Sequence, residues 1–181
     1  GMHLDLIRFA PEHTPQKYQP VIDGLNTVIE DIRGYIMNLK VTHSKQRTCY
    51  ELVEDVMARL YMPPSLNISI EVPDVLPPFH QEEIDSLCMV LLEALSNAIR
   101  HAQAKTIGVR VQQNEFFFYM TIYDDGHGFN PETHVQTDAS HGLGLKNMRE
   151  RITQHNGVLE IRSNPNMGTS VIIKLPITKK S

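Results

Sequence analysis

The sequence predicts an α/β protein, a two-layer α/β sandwich of one sheet and a helical layer, preceded by an α-helical hairpin. Three observations carry this. Residues 81–102 have the apolar period of a long amphipathic helix, with Leu87, Leu91, Leu95 and Ala98 placed to anchor it. Residues 106–112 and 116–123 are rich in β-branched and aromatic side chains, the composition of strands. Val21, Leu25, Val28, Ile32, Tyr35 and Leu39 recur in steps of four and three, a heptad seam.

Taken in order, Met2, Leu6 and Phe9 read as the stub of one helix, with a turn near residues 11–15 and a long helix to about residue 40. Ile22, Ile29 and Ile36 widen its apolar stripe beyond what a two-stranded coil needs, which suits a bundle completed by a second copy. The first domain is therefore a helical hairpin over 1–43, and residues 44–181 form the second. There, 46–61 read as a helix ended by Pro63-Pro64, Asn67–Val72 as a short strand, and Pro73–Pro78 as a loop. Residues 130–141 are polar and read as a mobile loop. A helix over about 142–155 stops at Asn156-Gly157, and Val158–Ser163 with Thr169–Leu175 forms a closing hairpin.

Composition narrows the class. The chain is 41% apolar and 21% charged with a net charge of -4, so nothing in it points to nucleic acid as a direct partner. No apolar run approaches the ~20 residues of a membrane span, and no signal peptide is legible. Cys49 and Cys88 have no metal or redox spacing and read as reduced core thiols. A cytoplasmic location is expected.

Three short stretches carry chemistry. Glu93, Asn97 and His101 are four apart, so each advances only ~40° around a helix and the three share a face. A carboxylate there can orient or deprotonate an attacking group, and an amide oxygen suits Mg²⁺ beside phosphates and waters. Arg100 and His101 could face phosphate oxygens. Asp124-Asp125-Gly126-His127-Gly128 follows a strand, where a carboxylate can accept a hydrogen bond from a heterocycle's amino group. Gly142-Leu143-Gly144 opens the next helix, where free N–H groups favour phosphate. Each stretch alone has a plainer reading: a solvated helix face, an Asp-Gly turn, a glycine cap.

In this order and spacing they resemble the kinase core of two-component sensor histidine kinases with the GHKL (Bergerat) ATP-binding fold, whose sheet is mixed. The resemblance is greatest to the nitrate-sensor-like branch, through Glu93–Ala102, Asp124–Phe129 and Gly142–Ile152, and through Asp31-Ile32-Arg33 in the heptad helix. It implies that Asn97 coordinates Mg²⁺ and that Glu93 polarises or positions the nucleophile. It further implies that Asp124 binds the adenine amino group, with Gly126 and Gly128 shaping the pocket floor. Gly142, Leu143 and Gly144 would border the ATP lid (130–141), and Thr169 would complete the adenine end. Residues 15–40 would form a homodimer, and a response regulator receiver domain would take the phosphate.

One departure matters. The family's phosphoacceptor histidine is followed by Asp or Glu, and none of the nine histidines here has an acidic residue next. The phosphoacceptor is therefore expected upstream of residue 1. Two alternatives stay open at this point: another GHKL ATPase such as a serine-directed anti-sigma kinase, or a non-catalytic nucleotide-dependent interaction module.

Overall fold

The computed structural model describes residues 48–131 and 139–177, with the side chains of 139–143 excepted. The hairpin expected over 1–43 and the heptad seam lie outside the described residues, as does most of the 130–141 segment.

Helix α1 (Cys49–Met57) starts at Thr48, whose hydroxyl accepts the Glu51 N–H at 3.0 Å while Glu51 accepts the Thr48 N–H at 2.9 Å. It ends well before Pro63-Pro64, because the Arg59 and Leu60 N–H groups turn back tightly onto Val56 and Met57. Strand β1 (Asn67–Glu71) leads through an extended loop to α2 (Gln81–His101), where buried Glu83 accepts the His80 N–H at 2.7 Å. Strands β2 (Thr106–Gln113) and β3 (Phe117–Asp124) follow, then α3 (Ala139–Thr153) and the hairpin of β4 (Val158–Ser163) and β5 (Thr169–Pro176).

The five strands lie in the order β1-β2-β3-β5-β4. The β1–β2 pair is parallel and the other three are antiparallel, so the sheet is mixed. Alternation sets its two faces. Ile107, Val109 and Val111, then Phe118, Met120 and Ile122, then Val171, Ile173 and Leu175 point inward and are buried. Against them pack Leu87, Leu91 and Leu95 of α2, Met148 and Ile152 of α3, and Leu52 and Val56 of α1. Phe79 meets Phe118 edge to face at 5.3 Å. Phe117, Tyr119 and Tyr123 lie half-buried on the opposite face, where the Lys174 ammonium sits 3.9 Å from the Phe117 ring centre.

One boundary corrects the sequence reading. Helix α3 begins at Ala139 rather than at 142, so Gly142 and Gly144 lie inside its first turns and do not open it. Glycine costs about 1 kcal/mol relative to alanine within a helix, which is why the pattern placed the start at the glycines. The far end is as expected: Asn156 adopts φ 56° and the Gly157 N–H bonds to the Ile152 carbonyl at 3.0 Å. Both cysteines are buried thiols outside any disulfide, and burial pushes the Cys49 thiol up to about 11, as suits an unreactive core thiol. Among the described residues no helix is long and apolar enough to cross a membrane.

Candidate functional site

The helical layer does not cover the inner sheet face completely. Between α2, α3 and the ends of β3 and β5 lies a pocket of about 350 Å³, with Ala94, Ala98, Ile122, Leu145, Met148 and Val171 supplying apolar walls. Asn97, His101, Asp124, His127, Gly128 and Thr169 bring polar groups to it. Few, convergent polar groups in an apolar cleft are what a small-molecule site offers.

Strand parity decides which of two neighbouring aspartates serves the pocket. Asp124 continues the inward series of Phe118, Met120 and Ile122 and lines the cavity. Its carboxylate accepts the Gly126 N–H at 2.8 Å. Burial raises its pKa above the ordinary carboxylate value, an effect that the Gly126 and Thr169 N–H groups and His127 partly offset. Asp125 instead ties the loop to the start of β2, accepting the Lys105 N–H at 2.7 Å and the Thr106 N–H at 2.8 Å. Those amides, Thr106 foremost, hold its carboxyl below the usual range.

Asp125→Ala is accordingly expected to lower stability by about 1 kcal/mol, since water can replace part of what an exposed carboxylate provides. Its folded pKa is depressed, so this contribution is complete above the ordinary Asp pKa and is lost as pH falls through the depressed value. Urea unfolding of both proteins at pH 7 and near pH 3 checks this, with the difference shrinking at the lower pH. Nucleotide affinity is expected to be unchanged.

On α2, the Asn97 side-chain N–H donates to Glu93 Oε1 at 3.2 Å. That bond fixes the amide, turning its oxygen away from Glu93. Gly144 of α3 lies against the same carboxylate: a β-carbon there would stand 2.6 Å from Glu93 Oε1. His101 lines the pocket from the last turn of α2, whereas Arg100 beside it is exposed and does not line it. Gly126 packs on the C-terminal end of α2, where a β-carbon would collide with the Ala102 carbonyl, and the His127 N–H bonds that carbonyl at 2.9 Å. His127 Nδ1 donates to the Gly128 carbonyl at 2.7 Å. Gly142 and Leu143 lie on α3.

The structure thus brings Asn97, His101, Asp124, Gly128 and Thr169 to one cavity, with Glu93 bonded to Asn97 at its edge, Gly144 against Glu93, and Gly126 against Ala102 of its wall. One functional candidate was missed in the sequence. Ser163, buried at the end of β4, accepts the Phe129 N–H at 2.9 Å, donates to the Gly168 carbonyl at 2.9 Å and lies 3.0 Å from the Thr169 hydroxyl. Its signal was a polar residue on the inward parity of a strand whose other inward positions, Leu159 and Ile161, are apolar.

No group of three or more His, Cys, Asp or Glu that could hold a metal ion occurs among the described residues. One amide oxygen held in a fixed direction nevertheless fits Mg²⁺, which takes few protein ligands and completes its shell with phosphate and water.

Comparison with known proteins identifies the fold and the family. The chain is similar to the sensor protein VraS of Staphylococcus aureus strain COL, 27% identical over 172 residues that cover 91% of this chain and 48% of that protein. It is 29% identical over 184 residues to VraS of Staphylococcus epidermidis strain ATCC 12228, covering 99% and 51%. The chain thus spans about half the length of the curated relatives it matches. Among solved structures, the Acinetobacter baumannii histidine kinase AdeS superposes with a TM-score of 0.61 at 17% identity, covering 87% of this chain and 81% of that one. The mycobacterial sensor histidine kinase MprB gives 0.55 at 20% identity, covering 71% and 94%. These two show the shared fold. The family model for histidine kinase-, DNA gyrase B- and HSP90-like ATPases matches residues 82–179, a span that holds the whole pocket from α2 to β5. The chain belongs to that ATPase family.

Proposed function

We propose that this chain is the ATP-binding catalytic core of a two-component sensor histidine kinase. The observation that supports it is the convergence of Asn97, His101, Asp124 and Thr169 on one pocket, with Glu93 hydrogen-bonded to Asn97 at its edge. Asp124, in the apolar interior of the cleft, accepts from the adenine amino group, with Thr169 beside it. The Asn97 amide oxygen holds Mg²⁺, which neutralises phosphate charge when bound. Glu93 orients the attacking imidazole, His101 faces the phosphates from the pocket wall, and Arg100, exposed beside it, meets phosphate oxygens outside the pocket. Gly142, Leu143 and Gly144 border the lid. Phosphoryl transfer of this kind rests on positioning and charge neutralisation more than on covalent chemistry by the protein.

In this reading the acceptor is a histidine outside these 181 residues, residues 15–40 form a homodimer, and the phosphate passes to a receiver-domain aspartate of a response regulator. Mixing the protein with ATP, Mg²⁺ and a separately supplied phosphoacceptor helix tests the assignment. Transfer to the helix histidine supports it. Tight nucleotide binding without transfer under any condition would leave a nucleotide-dependent interaction module instead.

The raised Asp124 pKa gives this reading a pH signature. A donor placed against the carboxylate favours its charged form, so nucleotide binding should release a proton at pH near and below the raised Asp124 pKa. Affinity is expected to fall as pH drops through the Asp124 pKa, by no more than about tenfold per pH unit because one proton is involved. Stability moves the opposite way: a folded pKa above the unfolded one favours the native state at low pH, and that contribution disappears as pH rises through it. Calorimetric titration with ADP in buffers of different ionisation heat checks the release. The Asp124→Asn protein should bind more weakly and without proton release.

A further inference from the structure

The inner sheet face carries a row that crosses three strands. In the register of the sheet Asp124 of β3 stands opposite Thr169 of β5, and Thr169 stands opposite Ser163 of β4. All three positions have inward parity, the first two line the pocket, and Ser163 is buried beyond them at 8% exposure.

The hydrogens of this row can be counted. A serine hydroxyl has one proton and two lone pairs. The Gly168 carbonyl, 2.9 Å away, can only accept, so it takes the Ser163 proton. The Phe129 N–H, at 2.9 Å, occupies one lone pair. The remaining contact, 3.0 Å to Thr169 Oγ1, must then have Thr169 as donor. The Thr169 proton is committed to the floor of the pocket, and what its oxygen has left is acceptor capacity.

We infer that Ser163 is a positioning residue for base selection: by holding the Thr169 proton, it leaves the Asp124–Thr169 pair offering acceptors only. Two adjacent acceptors match the two N–H groups of an exocyclic amine and oppose a ring oxygen at the same place. A purine with a 6-oxo group is rejected because no proton in the row is free to meet it. Ser163 thereby acts on a ligand it does not touch. It also joins the loop after the Asp-Gly motif, through Phe129, to the turn at Gly168, so that one hydroxyl holds both loops that meet at the base end of the cleft.

The inference rests on the ATP reading above, and the test separates the two. Affinities for ATP and for ITP, which carries oxygen in place of the 6-amino group, are measured by displacement of a fluorescent trinitrophenyl-ATP from the full chain. Wild type is expected to prefer ATP strongly. In Ser163→Ala the freed Thr169 hydroxyl can turn its proton toward a 6-oxo group, and the ATP:ITP preference should fall about tenfold, the worth of one hydrogen bond. Thr169→Val, nearly isosteric and without the hydroxyl, should lower the preference similarly even if the Ser163 variant folds poorly. Combining the two should lower it no further, since Ser163 acts only through Thr169. Ser163→Thr, which keeps a hydroxyl, should restore the preference. Equal weakening toward both nucleotides in Ser163→Ala, or an unchanged ratio in Thr169→Val, overturns the inference while leaving the ATP site intact. Failure of wild type to displace the probe with ATP overturns the ATP site itself.

Discussion

Asn97→Ala is expected to reduce phosphoryl transfer from ATP by roughly 100-fold or more, while ADP binding without metal changes only a few-fold. The magnitude follows from what the side chain does in two directions. Its N–H₂ group donates to Glu93, which turns its oxygen away from Glu93 and, in the proposed mechanism, toward the cation. Removing it takes away the proposed metal ligand and one of the hydrogen bonds that orient the Glu93 carboxylate. Loss of one preorganised group at a phosphoryl-transfer site typically costs factors of 10²–10³. Asn97→Asp is the informative companion. It places a second carboxylate within about hydrogen-bonding range of Glu93, and like charges that close cannot both stay ionised, so one holds a proton in the absence of a cation. Mg²⁺-dependent rates at several metal concentrations read both variants. Undiminished transfer in Asn97→Ala would remove Asn97 from the mechanism.

Gly168→Ala is expected to be the most damaging small change to the fold, lowering stability by about 3 kcal/mol or more. Gly168 adopts φ +70°, a region that costs residues with a β-carbon roughly 1–2 kcal/mol. The added carbon would also drive into the Asp124 carbonyl oxygen and stand 3.2 Å from the Asp125 α-carbon. Both obstacles are backbone, so no side-chain rotation relieves them. A melting temperature lower by about 10 °C is the corresponding result for a domain of this size. Gly168→Asn separates the two causes. Asparagine tolerates the left-handed region, as Asn166 does at φ 64° in the same turn, but it carries the same β-carbon. If collision dominates, the Asn protein is as unstable as the Ala protein; recovery with Asn would show that backbone conformation alone was at fault.

Much of this was legible in the sequence, for identifiable reasons. Glu93 and Asn97 share a helix face because four residues advance an α-helix by little more than one turn, a relation independent of tertiary context. The inward parity of Asp124 follows from Phe118, Met120 and Ile122 in the same way. The start of α3 was not legible, because packing carries the helix back through Gly142 and Gly144 against their intrinsic preference. The approach of Gly144 to Glu93 depends on how α3 lies across α2, which no local pattern encodes. Ser163 was missed although the expected hairpin puts it beside Thr169: periodicity does not show that β5 lies against β3, which brings that pair into line with Asp124.

The order of the strands has one more consequence. Strands β3 and β5 are neighbours in the sheet, yet residues 125–168, with all of α3 and β4, lie between them in the chain. That excursion leaves and returns at paired residues, Asp124 and Thr169, so the ladder clamps both of its ends. Closing a flexible loop costs only about 0.6 kcal/mol more for each doubling of its length. Length changes within that excursion, where they spare α3 and β4, are therefore expected to cost little without shifting the clamped pair. The Asp124–Thr169 end of the pocket is thereby insulated from length variation elsewhere in the excursion, and the two can diversify independently.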